Sequence, residues 1–308
     1  MKKKSIICIG VVLFLISAIG TGWDLLKKKT YYVPMPTKVS IANIPLIEVD
    51  IQNAKYLLKM DLGSKFQLTL SEHVLDQLNK KNAGTLLGRD MYGNAYETPA
   101  YLIPLIKIGD FSWVDVMVNR ESNDFTSKTT LWVDTNKSKD YFEDRMGTIG
   151  RGLLEKRNLL LDFHNSIIFI SNDIKRLKKS GYFLEEFRKC SFEIGRTGLI
   201  LIINTDVGKI RFSLDTGSTV SFIRSSFLPN DISKKKKHGL SFVITSKFEM
   251  AGKDFGNMHL YLQDITPELS EIDGILGMDF LKNHIVYIDY QDKVIYVGDS
   301  APRTASPD

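Results

Sequence analysis

Two stretches of this 308-residue chain are versions of one another, and that duplication constrains the fold more than any other feature. MGTIGRGLLEKRNLLLDFHNSIIFI, Met146 to Ile170, aligns without a gap on DGILGMDFLKNHIVYIDYQDKVIYV, Asp273 to Val297. Gly147 and Gly150 match Gly274 and Gly277, 127 residues further on, and Leu161-Asp162-Phe163 matches Ile288-Asp289-Tyr290. A second match lies upstream. KYLLKMDLGSKFQLTLS, Lys55 to Ser71, pairs with KIRFSLDTGSTVSFIRS, Lys209 to Ser225, at a spacing of 154 residues, which makes Asp61 the partner of Asp215. Each half therefore reads as strand, Asp-x-Gly-Ser turn, strand, variable middle, Gly-x-x-Gly unit and closing hairpin. The first half holds 27 more residues between its landmarks, around Gly84 to Asp140.

The intervening texture is short apolar runs rich in β-branched and aromatic residues, such as IPLIEVDI, YLIPLIKIG and WVDVMV, broken by Gly, Asn, Asp and Lys. That pattern predicts a mostly β protein of two pseudo-symmetric antiparallel lobes. Helical signals are few: SEHVLDQLNK, Ser71 to Lys80, with a Ser cap, and DIKRLKKSGYFLEEF, which predicts one or two short helices. The expected layout is an N-terminal lobe over 31–170, a linker over 171–197, a C-terminal lobe over 198–298 and a tail over 299–308.

The first 23 residues form a separate element. MKKK precedes an apolar run from Ile6 to Ile19, the pattern of a secretory signal, and an uncleaved 6–23 segment is just long enough to anchor the chain in a membrane. The expectation is an exported protein, secreted, periplasmic or membrane-anchored. The formal charge of +5 does not argue for nucleic acid, because Lys2–Lys4, Lys27–Lys29 and Lys234–Lys237 account for it; the remainder carries 31 basic against 36 acidic residues. The Lys234–Lys237 run reads as a solvated loop. Cys8 lies in the N-terminal segment and Cys190 is the other cysteine, so neither a disulfide within the body nor a cysteine metal site is expected. His73, His164, His238, His259 and His284 have no ligand spacing, and no metal or other cofactor is expected.

The chemistry rests on FSLDTGSTVSFI, Phe212 to Ile223, which places Asp215 in a tight turn among apolar neighbours. A buried carboxylate is costly unless it is paired or well hydrogen-bonded. Two such turns on duplicated lobes can bring two carboxylates together, and like charges a few Å apart share one proton. Such a pair does general acid and base work on a water and a carbonyl without a metal or a covalent intermediate.

On these residues the chain resembles the pepsin and retropepsin superfamily of aspartic proteases, with both lobes on one chain. Asp215-Thr216-Gly217-Ser218 matches the family's Asp-Thr-Gly-Ser signature, and Ile275-Leu276-Gly277 matches the element that passes behind the catalytic turn. The resemblance implies a catalytic dyad of Asp61 and Asp215. It also implies turn support from Gly63, Ser64, Thr216, Gly217 and Ser218: Gly217 lets backbone approach the opposite carboxylate, the Thr216 hydroxyl bonds across to the other lobe, and Ser218 braces the carboxylate. Tyr92-Gly93 resembles the Tyr-Gly of a flap over the cleft, which implies contact with substrate. The implied partner is a peptide or protein substrate, and the implied state is a monomer. The first turn departs from the signature, because Asp61-Leu62-Gly63-Ser64 lacks the hydroxyl expected at position 62. Two readings therefore stand: an aspartic endopeptidase, and a two-lobed protein that holds a peptide or partner without cleaving it. A single lobe that must dimerise is opposed by the gapless repeat of the closing unit.

Overall fold

The computed structural model describes residues 30–40, 43–89, 94–121, 146–229, 232–237, 239–266 and 269–300. The 6–23 segment and the Tyr92-Gly93 pair lie outside them. Among the described residues, no helix is long and apolar enough to cross a membrane.

Period-two burial builds the strands. In Pro45–Ile51 the side chains of Ile47, Val49 and Ile51 are fully buried, and in the next strand, Ala54–Asp61, Tyr56, Leu58 and Met60 face the same core. The connecting Gln52 and Asn53 adopt φ of 54° and 68°, the left-handed pair that a two-residue hairpin turn needs to match strand twist.

The duplication in sequence becomes a duplication in topology. In the first half the strands lie side by side as Lys81–Arg89, Ala95–Ile108, Phe111–Arg120, Leu68–Leu70, Gly147–Gly150, Ala54–Asp61 and Pro45–Ile51. The second half repeats that order as Lys235–Lys237, Leu240–Thr245, Met258–Gln263, Phe222–Arg224, Gly274–Leu276, Gly208–Leu214 and Gly198–Thr205. Pairing is mainly antiparallel, but two parallel contacts recur in each half. Ala54–Asp61 runs parallel to Gly147–Gly150, as Gly208–Leu214 does to Gly274–Leu276, and Leu68–Leu70 runs parallel to Phe111–Arg120, as Phe222–Arg224 does to Met258–Gln263.

The closing hairpins of the two halves fuse into one sheet, in the order Arg188–Ser191, Val294–Asp299, His284–Asp289, Leu159–Asp162, Ile167–Ser171 and Tyr32–Val39. The repeated segments meet there, with Leu161 opposite Val286 and Leu160 opposite Tyr287. Leu160, Phe169, Leu177, Tyr182, Leu184, Ile285 and Tyr287 pack as one buried cluster under this sheet. Its polar atoms are satisfied internally: Tyr182 donates to Asp162, and Tyr287 accepts from Asn158 while donating to the Ser171 carbonyl.

The 171–197 connection is structured. It carries the helix Ile174–Lys179, capped by the Asp173 carboxylate on the Arg176 amide, then a 3-10 turn over Leu184–Glu186 and two strands, Arg188–Ser191 and Glu193–Gly195. Cys190 lies on the first of these, and burial pushes its thiol up to about 11, outside the reactive range. Two expectations need correction. The helix after Ser71 is short, Glu72–Asp76, because the chain enters a long strand at Lys81. The lysine run is not a loop: Lys235–Lys237 pairs with Leu240–Phe242 as an edge strand.

Candidate active site

Asp61 ends the strand Ala54–Asp61, and Asp215 directly follows Gly208–Leu214. Both are held by the Gly-x-x-Gly units alongside. Asp61 lies opposite Gly150, and the Asp215 amide donates to the Leu276 carbonyl at 3.0 Å. The units lock each turn in the same way: the Arg151 amide donates to the Ser64 carbonyl and the Met278 amide to the Ser218 carbonyl, both at 2.8 Å. A Cβ on Gly150 would meet the Phe66 carbonyl oxygen, and one on Gly277 the Val220 carbonyl oxygen, which explains why the repeat keeps glycine there.

The two turns face each other across the halves. A Cβ on Gly63 would sit 2.5 Å from Asp215 Oδ2, and one on Gly217 would sit 2.6 Å from the Asp61 carboxyl carbon. Each glycine therefore clears the space taken by the opposite carboxyl. Asp215 Oδ1 accepts from the Gly217 amide at 2.7 Å and, across the halves, from the Gly63 amide at 3.1 Å. The Ser64 amide donates to Asp61 Oδ1 at 2.8 Å. Loss of water holds the Asp215 carboxyl well above the usual carboxylate range, and the charge and hydrogen bond of the adjacent Asp61 carboxyl push in the same direction. The two amide donors oppose that shift without cancelling it.

Thr216, fully buried, is the cross-lobe strut. Its hydroxyl accepts from the Leu62 amide at 3.0 Å and donates to the Met60 carbonyl at 2.8 Å. Position 62 supplies no reciprocal hydroxyl; the Leu62 side chain is 2% exposed and fills the space with hydrocarbon. The junction is therefore asymmetric, polar from one side and apolar from the other. The brace expected of Ser218 also differs: its hydroxyl donates to the Val220 carbonyl at 2.8 Å, closing the turn on itself. The flap expectation at Tyr92-Gly93 lies outside the described residues, although the hairpin leading to it is paired as far as Arg89 opposite Ala95.

Two further supports escaped the sequence reading. Ser221, fully buried, donates through its amide and hydroxyl to the Asp279 carboxylate at 2.8 and 2.6 Å, and its hydroxyl accepts from the Gly277 amide at 3.0 Å. This ties the exit of the Asp215 turn to the repeated unit; burial raises the Asp279 carboxyl despite the donors around it. The first half has Gly152 at the matching place, so reading the repeat for its differences would have exposed this pair. Arg151, also buried, reaches Glu155 at 3.1 Å and the Arg196 carbonyl at 3.0 Å, linking the first Gly-x-x-Gly unit to the connection between halves. Nothing in the local sequence signals that contact.

No family model matches the chain, and no curated protein matches its sequence. Solved structures do. Basic 7S globulin from soybean aligns with a TM-score of 0.59 at 9% identity, covering 89% of this chain and 96% of the globulin. The aspartic proteinase from Irpex lacteus aligns with a TM-score of 0.58 at 13% identity, covering 89% and 99%. Conglutin gamma from lupine seeds, a basic 7S globulin, aligns with a TM-score of 0.57 at 11% identity, covering 89% and 96%. Proteins named for proteolysis and for seed globulins thus share this architecture, and the chain has the two-lobed pepsin-like fold of the aspartic proteinases.

Proposed function

We propose that the protein is an aspartic endopeptidase whose dyad is Asp61 and Asp215. The observation that carries this reading is the pairing of the two carboxyls in facing turns, with Asp215 strongly favouring its protonated form. In the proposed cycle a water lies between the carboxyls. The Asp61 carboxylate takes a proton from the water, whose oxygen bonds to the peptide carbonyl carbon, while Asp215 gives its proton to the carbonyl oxygen. The tetrahedral diol then collapses: the C–N bond breaks as Asp61 gives its proton to the departing nitrogen, one diol hydroxyl returns a proton to Asp215, and a carboxylic acid and an amine leave with the dyad restored. The chain's own side chains suffice for each transfer. The basic and apolar N-terminus supports export, with the 6–23 segment as signal or anchor.

A second reading, a two-lobed protein that holds a peptide without turnover, is favoured by one observation. Leu62 leaves the cross-lobe junction with the Thr216 hydroxyl alone. The experiment that separates the two is digestion of a mixed peptide library at acidic pH in ¹⁸O-water, with wild type, Asp61→Asn and Asp215→Asn in parallel. The proteolytic reading expects one labelled oxygen in each new carboxyl terminus and loss of cleavage in both variants. Peptide binding with no cleavage by the wild type would establish the second reading and overturn the first.

A further inference from the structure

The strand order that is common to the two halves gives the lysine run a position. In the first half a cross-strand row runs from Lys59 through Thr148, Thr69, Asn119 and Ala100 to Gly84. The matching row in the second half runs from Ser213 through Ile275, Phe222, Tyr261 and Phe242 to Lys235. Lys235 thus stands where the first half has Gly84, in the hairpin equivalent to the one that leads to Tyr92. Beyond that row the hairpins diverge. The first continues to Arg89 opposite Ala95, whereas the second closes at Lys237 opposite Leu240. The second half has a short hairpin carrying Lys234, Lys235, Lys236 and Lys237 in place of a long arm.

Adjacent strands lie about 4.8 Å apart, so the five steps from Ser213, which precedes the Asp215 turn, to Lys235 span about 24 Å across the sheet and set the lysine well away from the dyad. Lys234, Lys235 and Lys236 are exposed, and none of them makes an ion pair among the described residues. Lys235 shares a face with Phe242, whose ring packs on Tyr261 at 5.6 Å and on His259 at 5.3 Å. The positive charge therefore sits at the end of an aromatic row that leads toward the catalytic turn. Outside its three lysine runs the chain is net acidic, so this hairpin contrasts in sign with the body around it.

We propose that the Lys234–Lys237 hairpin is a specificity element that recognises acidic side chains near the end of a bound peptide, away from its central bond. The inference rests on the reading that a peptide occupies the cleft, and it holds whether or not that peptide is cut. Lysines on an edge strand also discourage edge-to-edge pairing, but any charge serves that purpose, whereas recognition depends on the sign.

The test uses the full chain carrying Asp215→Asn, so that binding is read without turnover. Affinity is measured for a fluorescent decapeptide rich in Asp and Glu toward its ends and for its Asn and Gln counterpart. Exposed ion pairs each contribute a few-fold, so two or three of them give the acidic peptide an advantage of about tenfold at low salt. The advantage is expected to shrink as ionic strength rises, to vanish or invert in Lys235→Glu/Lys236→Glu, and to persist in Lys235→Arg/Lys236→Arg. Equal affinity for the two peptides, or a preference that survives the charge reversal, overturns the inference and leaves the protease reading intact. Charge-reversed protein that loses only its attachment to anionic phospholipid vesicles, with peptide preference unchanged, overturns it in favour of a lipid surface. Failure to bind either peptide removes the peptide reading of the cleft and this inference together.

Discussion

Thr216→Val isolates the strut that joins the two turns. The substitution is nearly isosteric, but it strips the hydroxyl from between the buried Leu62 amide and the buried Met60 carbonyl. Each orphaned group costs about 1–3 kcal/mol, so the folded state is expected to lose about 2–6 kcal/mol. With a urea dependence of about 3 kcal/mol/M for a chain of this size, the unfolding midpoint falls by about 1 M. The assay is urea unfolding followed by circular dichroism, with Thr216→Ser as control, since serine keeps both hydrogen bonds and gives up only a methyl group. Because Leu62 supplies no second hydroxyl, nothing from the opposite turn compensates. A Thr216→Val protein whose midpoint matches that of Thr216→Ser would refute the assignment of the hydroxyl as the cross-lobe strut.

Three other outcomes are expected. Gly63→Ala and Gly217→Ala each push a methyl group into the opposite carboxyl, and a displacement of about 1 Å there is expected to cut peptide cleavage about a hundredfold or more in a kcat/KM assay; near-normal turnover would show that the turns stand apart. Asp215 binds its proton more tightly folded than unfolded, so its contribution to stability is full below the ordinary value of 3.8 and is lost as pH rises through the elevated folded value. Asp215→Asn, which cannot ionise, is expected to gain on wild type in thermal stability as pH rises above 3.8, and parallel curves would contradict this. Leu62→Thr puts a hydroxyl where the pseudo-twofold calls for a partner to Thr216; by symmetry with the Leu62 amide and Met60 carbonyl, it is placed to bond the Thr216 amide and the Leu214 carbonyl. Stability is then expected to change by no more than about 1 kcal/mol, because the new bonds offset the buried apolar area lost. A loss of about 3 kcal/mol, read by the same urea assay, would show that the hydroxyl finds no partner.

The features legible in the sequence were those with a steric cause. Gly150 and Gly277 recur because carbonyl oxygens occupy the place of a Cβ, and the Asp-x-Gly-Ser turns recur because Gly63 and Gly217 make room for the facing carboxyls. The paired closing hairpins were legible because Leu159–Asp162 and His284–Asp289 lie together at the centre of one sheet. Features set by distant partners were hidden. Arg151 finds its acceptor on Arg196, 45 residues away, and Ser221 finds Asp279, 58 residues away. The lysine run looked like a loop because its charge pattern carries no alternation; its strand is imposed by Leu240–Phe242. The Ser218 hydroxyl donates to the Val220 carbonyl, a choice set by local turn geometry that the four-letter signature does not encode.

The pairing of the carboxyls is tested most directly by an NMR titration of the ¹³C-labelled Asp215 side chain in wild type and in Asp61→Asn. Burial and the Asp61 carboxyl both raise the Asp215 midpoint, so removing the Asp61 charge should lower it while leaving it above the ordinary 3.8. An Asp215 midpoint that does not move when Asp61 is neutralised would mean that the two acids are not in contact, and the dyad would have to be abandoned.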